Sequence, residues 1–383
     1  MKLFFKNKAV MSGVFMMIFY QIIMIGVFTS GYSAIPKNIG DLSVAIVNED
    51  QQYGVEFAKQ LEQDLPFHVQ TNTNLKTAQQ KLEDRDIYLI MHIPQDFTQK
   101  LSAPDQQVQL NYYINQSNPA TTNSTVQNVV TQITDKISAQ LQTNSIEGVL
   151  QNVKMPEAQA KEVAADIVNK VHANVVASNP QPAGMHNQMA PMFLTMSSYV
   201  GAMIYSMMAI GALNQLKGKL GKWKAFLSLQ GTNAMIALIV PLIGLSIYFA
   251  IHGYGASTFV HMWLLHALEL FAAIQFTSIF CLLFGQAGMM LNLPLLLIQT
   301  IANGSVVPQV MMPGFFKAIS HISVMFYTVQ LDYNLLFGGG NSAFLLLGLV
   351  LVAVSALTIN AVIHHFKPYS KLSPNAAPQP LFM

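Results

Sequence analysis

The chain has 383 residues, of which 52% are apolar and only 10% charged, with a mean hydropathy of +0.38. That balance excludes an ordinary soluble domain and requires part of the chain to lie in lipid. The formal net charge is +2, yet residues 32–185 hold 10 basic and 16 acidic side chains while the rest holds 10 basic and 2 acidic. An acidic polar segment with Arg85 as its one arginine excludes a nucleic-acid binder. The lone cysteine, Cys281, excludes an intrachain disulfide and a Cys-ligated metal site.

Crossing about 30 Å of hydrocarbon as a helix takes about 20 apolar residues, and six stretches qualify. The first is Ala9 to Ser30, behind Lys2, Lys6 and Lys8. A cleaved signal peptide is the rival reading there; the length of the apolar run and the poor cleavage pattern at Tyr32-Ser33-Ala34 oppose it. The others are Met189–Leu213, Ser228–Ile251, His261–Phe284, Met289–Val307 and Ser342–Ile363, with kinks expected at Pro241 and Pro294. Positive flanks stay in the cytoplasm. Lys2, Lys6 and Lys8 place the N-terminus inside and residues 32–185 outside. Lys217, Lys219, Lys222 and Lys224 then fall inside, as do Lys367 and Lys371 after the sixth span.

The fold class expected is an α-helical polytopic membrane protein with six transmembrane helices, both termini cytoplasmic, and an α/β domain inserted outside between spans one and two. Residues 1–31 form the N-terminus and first span, 32–185 the extracytoplasmic domain, 186–366 a five-helix membrane domain, and 367–383 a cytoplasmic tail. Within 32–185, Leu42–Val47 reads as a strand, Tyr53–Leu65 as an amphipathic helix, and Phe67–Gln70 as a short strand. Leu75–Leu82 follows as a helix, Ile87–Ile93 as a strand stopped by Pro94 with a short helix after it, and Val108–Ile114 as an alternating strand. Val126, Val130, Ile133, Ile137 and Leu141 mark a helical stripe. A second helix starting at Pro156 is expected to carry Val163, Ile167, Val171 and Val175, giving an antiparallel helical hairpin, with 179–184 as the hinge into span two.

No nucleotide-binding, zinc-protease or serine-hydrolase motif occurs, so no catalytic, cofactor or metal residues are assigned. Three Asn-X-Ser/Thr matches, at Asn115, Asn123 and Asn303, are read as chance. Glu49 and Asp50, with Asp41 before the first strand, are either a cation site or, better, a strand end feeding a helix N-terminus. Inside lipid an ionisable residue is functional or paired. Glu269 sits in the middle of span four with His266 three residues earlier on the same face, suiting a proton relay, a substrate contact or an interhelical hydrogen bond. Span two carries a small-residue ladder, Ser198, Ala202 and Ser206 beside Ser197 and Gly201, open to packing within one chain or across a dimer. Its methionines, Met189, Met192, Met196, Met203, Met207 and Met208, either line an adaptable path or face lipid. Residues 304–340, broken by Pro308, Pro313-Gly314, Asp332 and Gly338-Gly339-Gly340, suggest a re-entrant outer segment of short helices.

Several motifs resemble the YhgE/Pip proteins. Val44-Ala-Ile-Val-Asn-Glu-Asp50 follows the first span, and Ile87-Tyr-Leu-Ile-Met-His-Ile-Pro-Gln-Asp-Phe97 is similar to that family's strand-to-helix turn, so Asn48, Glu49, Asp50, Pro94 and Phe97 carry its motif. Met189 through Gly201 and Val307-Pro308 through Ser320 are similar to its later segments. The resemblance implies a type-2 ABC (ABC-2 type) permease without its own ATPase, paired with a cytoplasmic ABC ATPase subunit and forming a homodimer or a heterodimer with a related permease. It also implies a path between the second and fifth helices and a coupling loop at Asn214–Phe226, where Lys217, Lys219, Lys222 and Lys224 lie. Two departures stand out: the long helical extracellular region of many relatives is absent, and Asp332 and Asn334 stand where relatives often carry an arginine. The reading is export of a hydrophobic or amphipathic small molecule, drug-like or lipid, across the cell membrane. Its rivals are a surface-attachment or secretion scaffold without a transport cycle, and a proton-coupled carrier centred on Glu269 and His266, which would lack the usual internal repeat.

Overall fold

A computed structural model describes residues 38–65, 67–102, 107–119, 121–135, 171–182 and 185–367. The expected first span with Lys2, Lys6 and Lys8, the residues Ile137 and Leu141, the start of the second hairpin helix through Ile167, and Lys371 lie outside the described residues. Five strands, β1 (Ser43–Asn48), β2 (His68–Gln70), β3 (Leu89–Ile93), β4 (Val108–Asn115) and β5 (Val171–Ser178), form one sheet in the order β2-β1-β3-β4-β5. Only the β3–β4 pair is antiparallel. β3 is buried along its whole length and β1 across its four central residues, which is why both read as unbroken apolar runs, whereas β4 alternates.

Successive β1 side chains face opposite ways. Val44 and Ile46 enter one core with Phe57 and Leu61 of α1 (Tyr53–Asp64) and Phe97 of α3 (Phe97–Ser102). Ala45 and Val47 enter a second core with Ala78 and Leu82 of α2 (Leu75–Glu83), a helix capped by Asn74, which accepts from Thr77 N at 2.8 Å. Helix α4, residues 121–135, lays Val126, Val129, Val130 and Ile133 on the first core. Thus helices cover both faces of the sheet.

The stretch expected to complete the second hairpin helix is a strand from Val171 on. The four-residue spacing of Val171 and Val175 mimics a helix face, but the segment pairs with β4 from Val108↔Val171 to Asn115↔Ser178, and Asn174 Nδ2 donates to Asn111 Oδ1 at 2.8 Å. Non-local pairing overrides the local period, and the consecutive β-branched Val175 and Val176 suit a strand better than a helix.

After one helical turn at Met185–Gln188 come the helices α5 (Ala190–Leu220), α6 (Lys222–His252), α7 (Ala256–Phe284), α8 (Met289–Ala302), α9 (Gly314–Ser320) and α10 (Val324–Phe337), and α11 (Ser342–Phe366) ends the described chain. Among the described residues four stretches are long and apolar enough to cross a membrane: α5, α6, the run Ala256–Ala302 that joins α7 to α8, and α11. The expected fifth span, Met289–Val307, is a helix of only 14 residues, about 21 Å at 1.5 Å per residue and short of the roughly 30 Å hydrocarbon core. A 3-10 turn at Gly285–Gly288 precedes it, and irregular backbone follows. That backbone is satisfied inside the protein: Gln330 Nε2 donates to Asn303 O at 3.0 Å, Asn303 Oδ1 accepts from Ser305 N at 2.8 Å, and Thr121 Oγ1 donates to Val306 O. Most of α10 is buried, and with α9 it supplies the short helices expected in 304–340.

The sheet and the helices share one core. Ile301, Ala302, Val307, Met311, Met312 and Phe316 pack with the sheet's first apolar face. A second joint is polar: Gly340 N donates to Glu83 O at 2.8 Å, and Arg85 Nη2 donates to Gly338 O at 3.2 Å. Gly338, Gly339 and Gly340 all have positive φ, and a Cβ on Gly339 would stand 2.9 Å from Asn115 Nδ2 and 3.1 Å from Glu83 O.

The motif residues are joints of this fold. Asn48 Oδ1 accepts from Asp50 N at 3.0 Å. Asp50 is 3% exposed; its Oδ1 accepts from Gln52 N, Gly54 N and Thr98 Oγ1 and its Oδ2 from Thr98 N, all within 2.9 Å. Thr98 Oγ1 in turn accepts from Tyr53 N at 3.0 Å. One carboxylate therefore links the end of β1, the start of α1 and α3. A Cβ on Gly54 would lie 2.5 Å from Asp50 Cβ, so the tight approach needs glycine. Pro94 ends β3, and Phe97, fully buried, stacks on Phe57 at 5.1 Å between ring centroids.

Burial opposes the Asp50 charge, but the hydrogen bonds from Thr98, Gln52 and Gly54 outweigh it and hold the carboxyl at about 2. A lowered folded-state value stabilises above the unfolded value near 4 and fades as the pH falls towards 2. Asp50→Asn is expected to cost about 2 kcal/mol at pH 7, with the gap to wild type closing between pH 4 and 2 in thermal unfolding of the detergent-solubilised protein. Gly339→Ala is expected to cost about 1–2 kcal/mol from its backbone conformation alone, read as faster limited proteolysis at the sheet-to-helix joint.

Candidate functional site

Helix α7 has His266 and Glu269 on one face, three residues apart. Their side chains meet, His266 Nδ1 lying 3.3 Å from Glu269 Oε2. The other imidazole nitrogen, Nε2, lies 3.2 Å from Oδ1 of Asp332 on α10, and Asp332 Oδ2 accepts from Thr195 Oγ1 of α5 at 3.2 Å. His266 is 2% exposed and both carboxylates 0%. Sequence reasoning paired His266 with Glu269 but left Asp332 as a break in an apolar stretch. A signal was available: Glu269 and Asp332 are the only two acidic residues outside 32–185, and two charges inside an apolar bundle need partners.

The small residues of α5 divide between two roles. Ala202 and Ser206 are fully buried against α7, and Ser206 Oγ donates to Ile274 O at 3.2 Å and lies 2.8 Å from Thr277 Oγ1. This part of the ladder packs within the chain. Ser197, Ser198 and Gly201, and Ala202 as well, border a cavity of about 400 Å³ among α5, α6 and α7, whose walls include Tyr205, Val240 and His266. Among the described residues His266 is its one titratable wall besides Tyr205, and Glu269 and Asp332 stand behind it. None of the six span-two methionines borders this cavity; Met203 is buried in the bundle core and Met208 is half exposed. The cavity engages the second, third and fourth expected spans, whereas α8, the expected fifth, meets α5 through Gln299 Nε2, which donates to Tyr199 Oη at 2.7 Å.

The four lysines lie on a connection that is helical nearly throughout. Instead of a loop over Asn214–Phe226, α5 runs to Leu220, Gly221 alone breaks the helix, and α6 starts at Lys222. Apolar residues continue through both ends, so the helices extend past the apolar spans. Lys222 Nζ donates to His365 O at 2.7 Å and Lys367 O at 2.9 Å, capping the C-terminal end of α11. Lys217 Nζ donates to Asn214 Oδ1 at 3.0 Å. Lys219 and Lys224 are exposed beside the exposed Leu220 and Trp223. Lys367 Nζ donates to Leu282 O, bringing the end of α7 to the same place.

Glu49 lies 3.1 Å from His92 Nε2 across the β1–β3 pair, and both Asp50 oxygens are taken by the hydrogen bonds of the α1 start. Asp50 thus serves the junction of the strand with the helix, and Glu49 faces the neighbouring strand. Among the described residues no group of three or more His, Cys, Asp or Glu is arranged to hold a metal ion. Cys281 is buried.

Comparison with known proteins places this architecture. Searches of curated proteins and of solved structures return no match. The family model described as ABC-2 family transporter protein matches residues 11–363. ABC-2 permeases generally pair with an ATPase subunit. With the apolar helices and that match over most of its length, the chain belongs to the ABC-2 family of transporter proteins and is a multi-pass membrane permease of an ABC transporter.

Proposed function

We propose that this permease is the membrane half of an ABC exporter that moves a hydrophobic or amphipathic small molecule, drug-like or lipid, out of the cell, powered by a separate cytoplasmic ATPase. The observation that carries the reading is the roughly 400 Å³ cavity with apolar walls among α5, α6 and α7, a size that suits a drug-like ligand. The motif residues Asn48, Glu49, Asp50, Pro94 and Phe97 support placing the chain near the YhgE/Pip proteins. In this reading six segments enter the membrane, the fifth of them completed by α8 and the irregular backbone after it, two permeases dimerise, and the sheet sits outside as an inserted domain.

Two ends of α11 support that orientation. Gly338–Gly340, in contact with the sheet, precede its first turn, and Lys222 caps its last; 25 residues span about 37 Å. The lysines are therefore a membrane thickness from the sheet, as positive-inside retention requires. The ATPase docks on the α5–α6 turn through Lys219, Lys224 and Trp223, and Lys222 passes its motion to α11. The His266, Glu269 and Asp332 cluster also suits a proton-coupled carrier, which would work without ATP.

Affinity purification of the tagged protein in mild detergent is expected to recover a nucleotide-binding subunit that hydrolyses ATP. Recovery of the permease alone, or with cell-surface components, would turn the reading to a scaffold. Charge reversal at Lys219 and Lys224 together is expected to abolish recovery of that subunit without impairing membrane insertion; undiminished recovery would overturn the docking assignment.

A further inference from the structure

We infer that the cavity among α5, α6 and α7 binds a monocationic amphipathic molecule, such as a lipophilic quaternary or protonated amine, against the negative charge held by His266, Glu269 and Asp332. The inference builds on the exporter reading for what is carried, but the binding step stands on the cavity alone.

Counting protons gives the charge. Each of the two imidazole-to-carboxylate contacts, 3.3 Å and 3.2 Å long, needs one proton to be a hydrogen bond. Two protons shared among one imidazole and two carboxylates leave the cluster at one negative charge, whichever atoms hold them. Among the described residues no lysine or arginine is paired with any of the three. Among the described residues the groups that face the cluster are neutral: Thr195, Ser198 and Tyr199 from α5, Tyr248 from α6 and Tyr333 from α10. Glu269 Oε1 is buried without a hydrogen bond of normal geometry. A lone charge at this depth costs several kcal/mol, so the cluster takes up either a third proton or an external cation.

The cavity offers the place for that cation. His266 and Ser198 are the two residues that both border the cavity and approach the carboxylates. Most of the rest of the wall, including Leu194, Val240 and Leu270, is apolar and suits hydrocarbon or aromatic groups. Tyr205 borders the same cavity, and an aromatic side chain there adds to the attraction for a cation. A neutral molecule would gain only the apolar contact, and an anion would be repelled. A third proton and a bound cation compete for one charge.

The test uses the full-length chain in detergent, without an ATPase. Tetraphenylphosphonium and tetraphenylborate have nearly the same size and shape and opposite charge, and their binding is measured by equilibrium dialysis. The phosphonium is expected to bind at least tenfold more tightly than the borate. Glu269→Gln and Asp332→Asn are each expected to weaken phosphonium binding about tenfold and to leave the borate no weaker. Because these variants change a buried cluster, Gly201→Leu provides a second arm: Gly201 borders the cavity and has no atom within 4 Å of its Cβ position, so leucine fits and fills the space. It is expected to weaken phosphonium binding at least tenfold. Equal binding of the two ions, or phosphonium binding untouched by Gly201→Leu, would overturn the inference. Either result with the ATPase still recovered sinks this site alone; charge-selective binding with no ATPase recovered keeps the site and removes the exporter reading.

Discussion

Two carboxylates inside an apolar bundle, held to one imidazole, constrain the membrane half of this protein more than any other contact. Glu269 and Asp332 have no exposure to water, and removing His266 would leave two buried carboxylates without their shared partner. The cluster fixes α10 against α7, and Thr195 adds α5 through Asp332. Around it other buried polar groups tie the same helices: Gln299 joins α8 to Tyr199, and Asn360 of α11 donates to Gln275 O of α7 at 2.7 Å. Lipid supplies little hydrophobic drive between helices, so such polar contacts and close small-residue packing set the arrangement.

Much of this fold can be read from the residues, and the misses share a cause. β1 to β4 and α1 to α3 lie where alternation and apolar runs place them, because each buries a face whose period is local. β5 fails that rule: Val171 and Val175 have helical spacing, and only β4, more than sixty residues earlier, makes them a strand. Asp332 escapes for the same reason. His266 and Glu269 announce each other by sharing a helix face, while Asp332 lies 66 residues beyond His266 and reaches it through tertiary packing. The fifth apolar run overstates its helix because hydropathy cannot see that Asn303 and its neighbours satisfy their backbone within the turn and through Gln330 of α10.

The Asn48, Asp50, Pro94 and Phe97 motif offers a different lesson. A run of acids after a strand invites a ligand, yet both Asp50 oxygens accept backbone and hydroxyl hydrogen bonds that close the joint of β1, α1 and α3. Strong sequence motifs can mark hinges of the fold as readily as sites of chemistry.

Helix α11 is attached at both extremities, through the glycine turn that meets Glu83 and Arg85 and through Lys222 at its final carbonyls. A stiff rod pinned in this way does not bend in the middle when one end is pushed; it pivots. Gly221, the sole interruption between α5 and α6, leaves no slack at the pushed end. Small displacements there would reach the sheet as rotation of a single lever, with the two ends of the helix moving in step and no message passed from one side chain to the next.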